Sequence, residues 1–202
     1  MISISNKFSV VVLSAIVLLA FSSCVTQPKS IEEYFTQLNS RGYSGAILVA
    51  RDGTTLTQQA FGYASCDQTT RNTIDTVFSI GSITKDFTRA AIAQLDAEGK
   101  IKLDHAISSY LTTVPNDKAG ITVEQLLDHR SGLRTYHETQ NIGDFESQTK
   151  EQALSEIFRG SLLFRPGSRE NYSNSGYTVL AAIIEAVSGQ SYVDYIRENL
   201  LI

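Results

Sequence analysis

The chain has 202 residues, of which 42% are hydrophobic and 19% are charged, and its formal net charge is −4. This is the length of one ordinary domain, and the apolar content excludes an intrinsically disordered protein. The mild negative charge, without a basic patch, argues against nucleic acid as a partner.

The first residues indicate an export signal and not a part of the fold. Lys7 supplies a positive charge before residues 8–21, an apolar stretch that is too short to span a bilayer comfortably. Small residues then precede Cys24, as in a bacterial lipobox, in which the cysteine is acylated and becomes the mature N-terminus. We therefore expect a signal peptide over residues 1–23, a lipid-anchored tether over residues 24–30 and a location in the cell envelope. Plain secretion and a retained anchor are the alternatives.

The sequence contains two cysteines, Cys24 and Cys66. If Cys24 is acylated, no internal disulfide can form, and we interpret Cys66 as a small residue in a turn and not as a reactive thiol. The sequence shows no cluster of His and Cys at metal-ligand spacing. We therefore expect no metal and no cofactor.

A helix and a hairpin are predicted after the tether. Ser30 begins a capping box, apolar residues follow at helical spacing, and Gly42 ends the helix. Residues 43–50 and 55–63 are predicted as strands, joined by a turn in which Asp52 is followed by glycine. A lone hairpin is marginal in water, so we expect these strands to belong to a larger antiparallel sheet.

A second helix is predicted to begin at Ser82 and to end before Gly99. Its buried face should carry four residues that recur every fourth position: Ile83, Phe87, Ala91 and Leu95. Ser82 and Lys85 are three residues apart and therefore neighbours on the first turn. A serine at the positive end of a helix, with an ammonium one turn on, is well placed to become a nucleophile, although it is also a common N-cap.

The remainder of the chain is predicted to be mostly helical. Capping boxes begin one short helix after Thr122 and a longer one after Thr149. Residues 134–148 have no clear period and are predicted as a surface loop. A strong helix is expected over residues 176–188, and Ser191 begins one more. The predicted fold class is therefore α+β, with a mostly helical chain and an N-terminal β-hairpin.

Several short motifs carry a resemblance to a known family. In order, they are Ser82-x-x-Lys85, His129-x-Ser131-Gly132-Leu133, Pro166-Gly167 and Tyr172-Ser173-Asn174. Together they resemble the serine β-lactamase and penicillin-binding protein superfamily, and more narrowly the class C β-lactamases and their relatives, the D-alanyl-D-alanine carboxypeptidases and carboxylesterases. The resemblance runs from about Ile31 to the end of the chain, and it implies the α+β fold of that superfamily.

The resemblance also implies roles for the motif residues. Ser82 would be the acylated nucleophile, and its backbone N–H one half of an oxyanion hole. Tyr172 would be the base or proton relay, with its phenolate favoured by the Lys85 ammonium. Asn174 would position both Lys85 and an amide of the substrate, and His129 would be structural. The simpler alternatives are a Tyr172 at the edge of the core and an Asn174 that only caps a helix.

One departure from the family concerns the third motif, Lys or His followed by a small residue and Gly, on a strand beside the site. No such element occurs before Ile202. We therefore expect residues 31–202 to be the N-terminal part of a longer domain, and to be unstable or inactive alone. A β-lactam, a D-alanyl peptide of the cell wall and an ester all suit the motifs, and the membrane is expected as a partner through the lipid anchor. The alternatives are a slowly deacylating or non-catalytic penicillin-binding envelope protein and an inactive fragment.

Overall fold

The structure is a computed structural model, and it describes residues 27–136 and 148–201. The chain divides into two compact units, one that ends at Phe78 and one that begins at Ser79. Within the described residues, no helix combines the length and the apolar character that a membrane crossing requires. The predicted signal peptide, Cys24 and most of the predicted surface loop lie outside the described residues, so those predictions stay predictions.

The first unit contains helix α1, Ile31–Ser40, followed by the predicted hairpin. The Ser30 hydroxyl accepts a hydrogen bond from the Glu33 N–H, which confirms the N-cap half of the predicted capping box. The other half is wrong, because the Glu33 carboxylate accepts from the Lys29 N–H and not from the Ser30 N–H. The buried Phe35 ring packs edge-on against Phe61, with 5.9 Å between ring centroids. These aromatic rings attach α1 to the end of the hairpin.

The hairpin consists of strands β1, Gly45–Arg51, and β2, Thr54–Phe61, paired antiparallel. Asp52 and Gly53 have φ values of 50° and 77°, the two positive angles that a tight hairpin turn requires. The predicted hairpin and its turn are therefore confirmed. Leu48 on β1 remains 59% exposed, so the hairpin buries only part of its apolar surface within the described residues.

The second unit is helical in its described part. Its α-helices are α2, Thr84–Ala97; α3, Val123–Leu127; α4, Lys150–Arg159; α5, Asn174–Ser188; and α6, Tyr192–Leu200. The two capping boxes predicted in this unit are present, because Thr122 and Thr149 each exchange hydrogen bonds with the residue three positions on. Gly189, at φ 74°, ends α5 as predicted.

The core of this unit lies around α5. Leu180, Ile183 and Ile184 of α5 are fully buried, and Ile92 and Leu95 of α2 are buried in the same cluster. Burial of one such side chain contributes about 1.5–3 kcal/mol. The core therefore fixes α2 and α5, the two helices that carry the predicted site residues at or just before their N-terminal ends.

The start of α2 differs from the prediction. Ser82 lies in a 3-10 turn, Gly81–Ile83, and the α-helix begins only at Thr84. Ile83 is 59% exposed and not on the buried face, whereas Leu95 is buried as expected. Periodicity marks one face of a helix but not how far along it the neighbouring elements reach, and the described residues leave most of Ile83 uncovered.

The prediction from the fold concerns Gly132, at φ 77°, where an added Cβ would overlap the carbonyl oxygen of Phe164. We expect Gly132→Ala to lower the free energy of unfolding by about 2 kcal/mol or more, because both the backbone angle and the contact become unfavourable. Gly120→Ala is the matched control, since open space surrounds a Cβ there. Denaturant unfolding measures both, and equal stability of the two variants would contradict this packing.

Candidate active site

A serine, a lysine and a tyrosine meet where α2 and α5 begin. The hydroxyl oxygens of Ser82 and Tyr172 are 2.8 Å apart, and either can donate the hydrogen bond. The Lys85 ammonium donates to the Ser82 hydroxyl at 3.2 Å. Gly81, at φ 53°, provides the left-handed turn that precedes Ser82. The structure thus brings three of the four residues predicted as catalytic into one hydrogen-bonded cluster.

The Lys85 ammonium also lies near two aromatic rings, 5.0 Å from the Tyr172 centroid and 5.5 Å from the Tyr177 centroid. Hydrogen bonding with Lys85 and with Ser82 lowers the pKa of Tyr172 below its ordinary value of 10.0. The phenolate is therefore easier to form at Tyr172 than at an ordinary tyrosine, as a proton acceptor for Ser82 requires.

Tyr177 has the opposite character, although it lies near the same ammonium. Its hydroxyl donates to the Leu127 carbonyl at 3.0 Å, and Arg89 donates to the same carbonyl at 2.8 Å. Burial raises the pKa of Tyr177, so it stays a neutral core residue. Arg89, one turn beyond Lys85 on α2, was not identified from the sequence, although its spacing from Lys85 was a usable signal.

Asn174 does not make the contact that the motif implied. It is the first residue of α5, while Ser173 occupies the N-cap position without a side-chain capping bond. Within residues 27–136 and 148–201, no hydrogen bond joins Asn174 to Lys85, and the Asn174 Oδ1 atom is buried without a partner. An unpaired buried acceptor costs free energy, so Asn174 carries an unsatisfied oxygen two residues from Tyr172.

His129 has the structural contact that the resemblance implied, because its Nδ1 atom accepts a hydrogen bond from the Ser173 N–H at 3.2 Å. His105 is exposed and stacks on Tyr110 away from this cluster, and His137 lies outside the described residues. In the described part of the chain, no group of three His, Cys, Asp or Glu residues could hold a metal ion. The two hydrogen bonds on the Ser82 hydroxyl are the contacts that offer proton transfer at this site.

A sequence profile of a protein family, described as Beta-lactamase, matches residues 31–202. The chain belongs to the Beta-lactamase family. That match covers both units of the structure from α1 onward, and it confirms the resemblance to the serine β-lactamase and penicillin-binding protein superfamily. The narrower relation to class C stays a prediction.

Individual relatives agree with this membership. The chain is 33% identical over 167 residues to the D-aminopeptidase of Brucella anthropi, over 80% of this chain and 31% of that protein. It is 29% identical over 166 residues to the teichoic acid D-alanine hydrolase of Staphylococcus aureus, over 82% of this chain and 40% of that protein.

Among solved structures, the octameric penicillin-binding protein homologue from Pyrococcus abyssi superposes with a TM-score of 0.68 at 33% identity, over 84% of this chain and 41% of that chain. These matches confirm the mixed α and β fold. The chain spans about two fifths, or less, of the length of the curated relatives that it matches.

The prediction from this geometry concerns the ionisation of Tyr172. The difference in ultraviolet titration between the unmodified protein and Tyr172→Phe should be a tyrosinate that forms below pH 10.0. Lys85→Met should raise the pKa of Tyr172, because the variant removes the ammonium that favours the phenolate. Lys102→Met, at an exposed lysine after α2, is the control and should leave the titration unchanged. An unchanged titration in Lys85→Met would contradict the electrostatic role of Lys85.

Proposed function

We propose that the protein is a serine hydrolase in which Ser82 forms an acyl-enzyme. The observation that supports this proposal most is the pair of contacts on the Ser82 hydroxyl, from Tyr172 at 2.8 Å and from Lys85 at 3.2 Å. A serine hydroxyl is a weak nucleophile at neutral pH and needs a neighbouring base. General base help of this kind is worth about 10²–10⁴-fold in rate.

The reaction that fits the cluster is acyl transfer in two steps. Tyr172 takes the Ser82 proton while the Ser82 oxygen bonds to the substrate carbonyl carbon. The backbone N–H of Ser82 stabilises the resulting oxyanion. Collapse of the tetrahedral intermediate breaks the bond to the leaving group, which receives the proton from Tyr172. Water then attacks the acyl-enzyme by the same route and regenerates Ser82.

The Lys85 ammonium supports both steps through its charge, since it favours the Tyr172 phenolate each time a proton leaves the nucleophile. In this proposal the Asn174 side chain turns toward the substrate, and its oxygen, which has no partner among the described residues, accepts a substrate N–H group. Such a contact fits an amide-containing substrate, because hydrogen bonding of the oxygen removes the cost of leaving it unpaired.

For the substrate we favour a D-alanyl amide or ester over a β-lactam. Support comes from two relatives, one named a D-aminopeptidase and the other a teichoic acid D-alanine hydrolase. A β-lactam shares the carbonyl chemistry, and the solved relative from Pyrococcus abyssi is described as a penicillin-binding protein homologue. The second candidate is therefore a penicillin-binding envelope protein related to class C enzymes that is acylated at Ser82 and deacylates slowly.

The prediction for the nucleophile is tested on the whole protein. We expect Ser82→Ala to lower kcat/KM for release of D-alanine from a D-alanyl ester or amide by about 10³-fold or more, because the attacking oxygen is lost. Ser155→Ala, at an exposed serine on α4, is the matched control and should retain activity.

Labelling with a fluorescent penicillin separates the two candidates. A stable adduct that requires Ser82, without turnover of D-alanyl substrates, favours the slowly deacylating protein. Turnover that requires Ser82 favours the hydrolase. Turnover that survives Ser82→Ala contradicts both candidates.

We also propose that the protein is exported and anchored in the cell envelope through acylated Cys24. The support is the sequence before Cys24, a positively charged start followed by a short apolar stretch and small residues. A lipid anchor would keep the hydrolase beside cell-wall peptides and other D-alanyl polymers at the membrane surface. A single acyl chain binds a membrane only marginally, so stable anchoring requires more than one chain.

The prediction for the anchor is that Cys24→Ser moves the protein from the membrane fraction to the soluble fraction and abolishes incorporation of labelled fatty acid. Cys66→Ser is the matched control, because Cys66 is the other cysteine of the sequence and is exposed and free. Fatty-acid labelling that persists in Cys24→Ser would contradict the proposed site of acylation.

A further inference from the structure

His129 forms hydrogen bonds with the residues on both sides of Tyr172. Its carbonyl oxygen accepts from the Asn171 N–H at 2.8 Å, and its Nδ1 atom accepts from the Ser173 N–H at 3.2 Å. The backbone of Tyr172 is therefore fixed between two hydrogen bonds to one residue. His129 adopts a left-handed φ of 55°, a conformation that costs free energy for a residue other than glycine.

The imidazole of His129 also supports the Tyr172 ring. The ring centroids are 4.5 Å apart, and a second contact of 5.1 Å joins His129 to Tyr177 in the core. Tyr172 is 53% exposed, and the other ring contact that the structure describes for it is the Lys85 ammonium. His129 thus connects an exposed phenol to the buried part of α5, which limits how far that phenol can move from Ser82.

The hydrogen bond from the Ser173 N–H requires an unprotonated Nδ1 atom on His129. Because Nδ1 accepts a hydrogen bond, it carries no proton, and the ring proton lies on Nε2. The charged groups that face the ring are Arg89 and Lys85 on α2, and Glu170 on the segment before Tyr172. Burial and the two cations lower the pKa of His129 below its ordinary value of 6.5, against the smaller effect of the Glu170 carboxylate.

We propose that neutral His129 is a positioning residue for Tyr172, and that protonation of its Nδ1 atom separates the Tyr172 hydroxyl from Ser82. A proton on Nδ1 would face the Ser173 N–H, so that the hydrogen bond is lost and a third positive charge joins Lys85 and Arg89. The inference rests on the proposed function of Ser82 and Tyr172. His129 acts through Tyr172, because among the described residues the Ser82 hydroxyl bonds to Tyr172 and Lys85 and not to His129.

Two substitutions distinguish the contribution of the Nδ1 acceptor of His129 from that of its flat ring. His129→Asn retains an acceptor near the place of Nδ1 and tolerates the left-handed backbone, but it does not titrate. His129→Phe retains the ring and lacks the acceptor. We expect kcat to fall by about 10²-fold in His129→Phe with KM little changed, and by less than about 10-fold in His129→Asn, since small misplacement of a reacting group costs about 10²-fold.

The dependence of kcat/KM on pH tests this role, because a merely structural His129 would not change it. Below the pKa of His129, the slope of log kcat/KM against pH should be greater by one than above it, because the neutral ring is the competent form. His129→Asn should lose this extra slope. His105→Asn is the matched control, since His105 is exposed and stacks on Tyr110 away from the site, and it should retain the extra slope.

The tyrosinate titration tests the inference without turnover, so failure of the proposed function and failure of this inference can be distinguished. If His129 positions the phenol, the pKa of Tyr172 in His129→Phe should return toward 10.0, because the phenol moves away from Lys85 and Ser82. Circular dichroism shows whether His129→Phe folds. If it does not fold, the inference is tested by whether His129→Asn loses the extra slope of log kcat/KM against pH. A folded His129→Phe with wild-type kcat and an unchanged Tyr172 titration would overturn the inference, as would an extra slope that persists in His129→Asn.

Discussion

The hydrogen bond between the hydroxyls of Ser82 and Tyr172 joins residues that are 90 positions apart, and the chemistry of the site depends on it. The bond can form only because the starts of α2 and α5 lie side by side. Buried apolar side chains hold these helices together, among them Leu95 on α2 and Ile183 on α5. The positions of the reacting atoms are therefore set by core packing, which contributes most of the stabilising free energy.

Two tyrosines lie near the Lys85 ammonium, and their surroundings shift their pKa values in opposite directions. Tyr172 is half exposed and bonds to Ser82 and Lys85, so its pKa falls, whereas burial raises the pKa of Tyr177. Tyr177 bonds instead to a backbone carbonyl and packs in the core. Proximity to a cation is thus not sufficient to make a tyrosine a base, because desolvation acts in the opposite direction.

The segments at the site also carry unfavourable features that an ordinary core avoids. Gly81, His129 and Gly132 all have positive φ angles. The side-chain oxygens of Ser173 and Asn174 are buried without hydrogen-bond partners in the described part of the chain. Strain and unpaired polar groups cost stability, and in proteins such features concentrate at functional sites. The well-packed helices on either side offset that cost.

The sequence by itself determined the local elements and the identity of the motif residues. Caps at Thr122 and Thr149, the stop at Gly189 and the hairpin turn depend on contacts between residues at most a few positions apart, so they could be predicted. Only the tertiary structure decided that Ile83 is exposed, that Asn174 does not bond to Lys85, and that His129 supports Tyr172. Those outcomes depend on distances of a few ångströms between elements far apart in the chain, and local periodicity does not encode such distances.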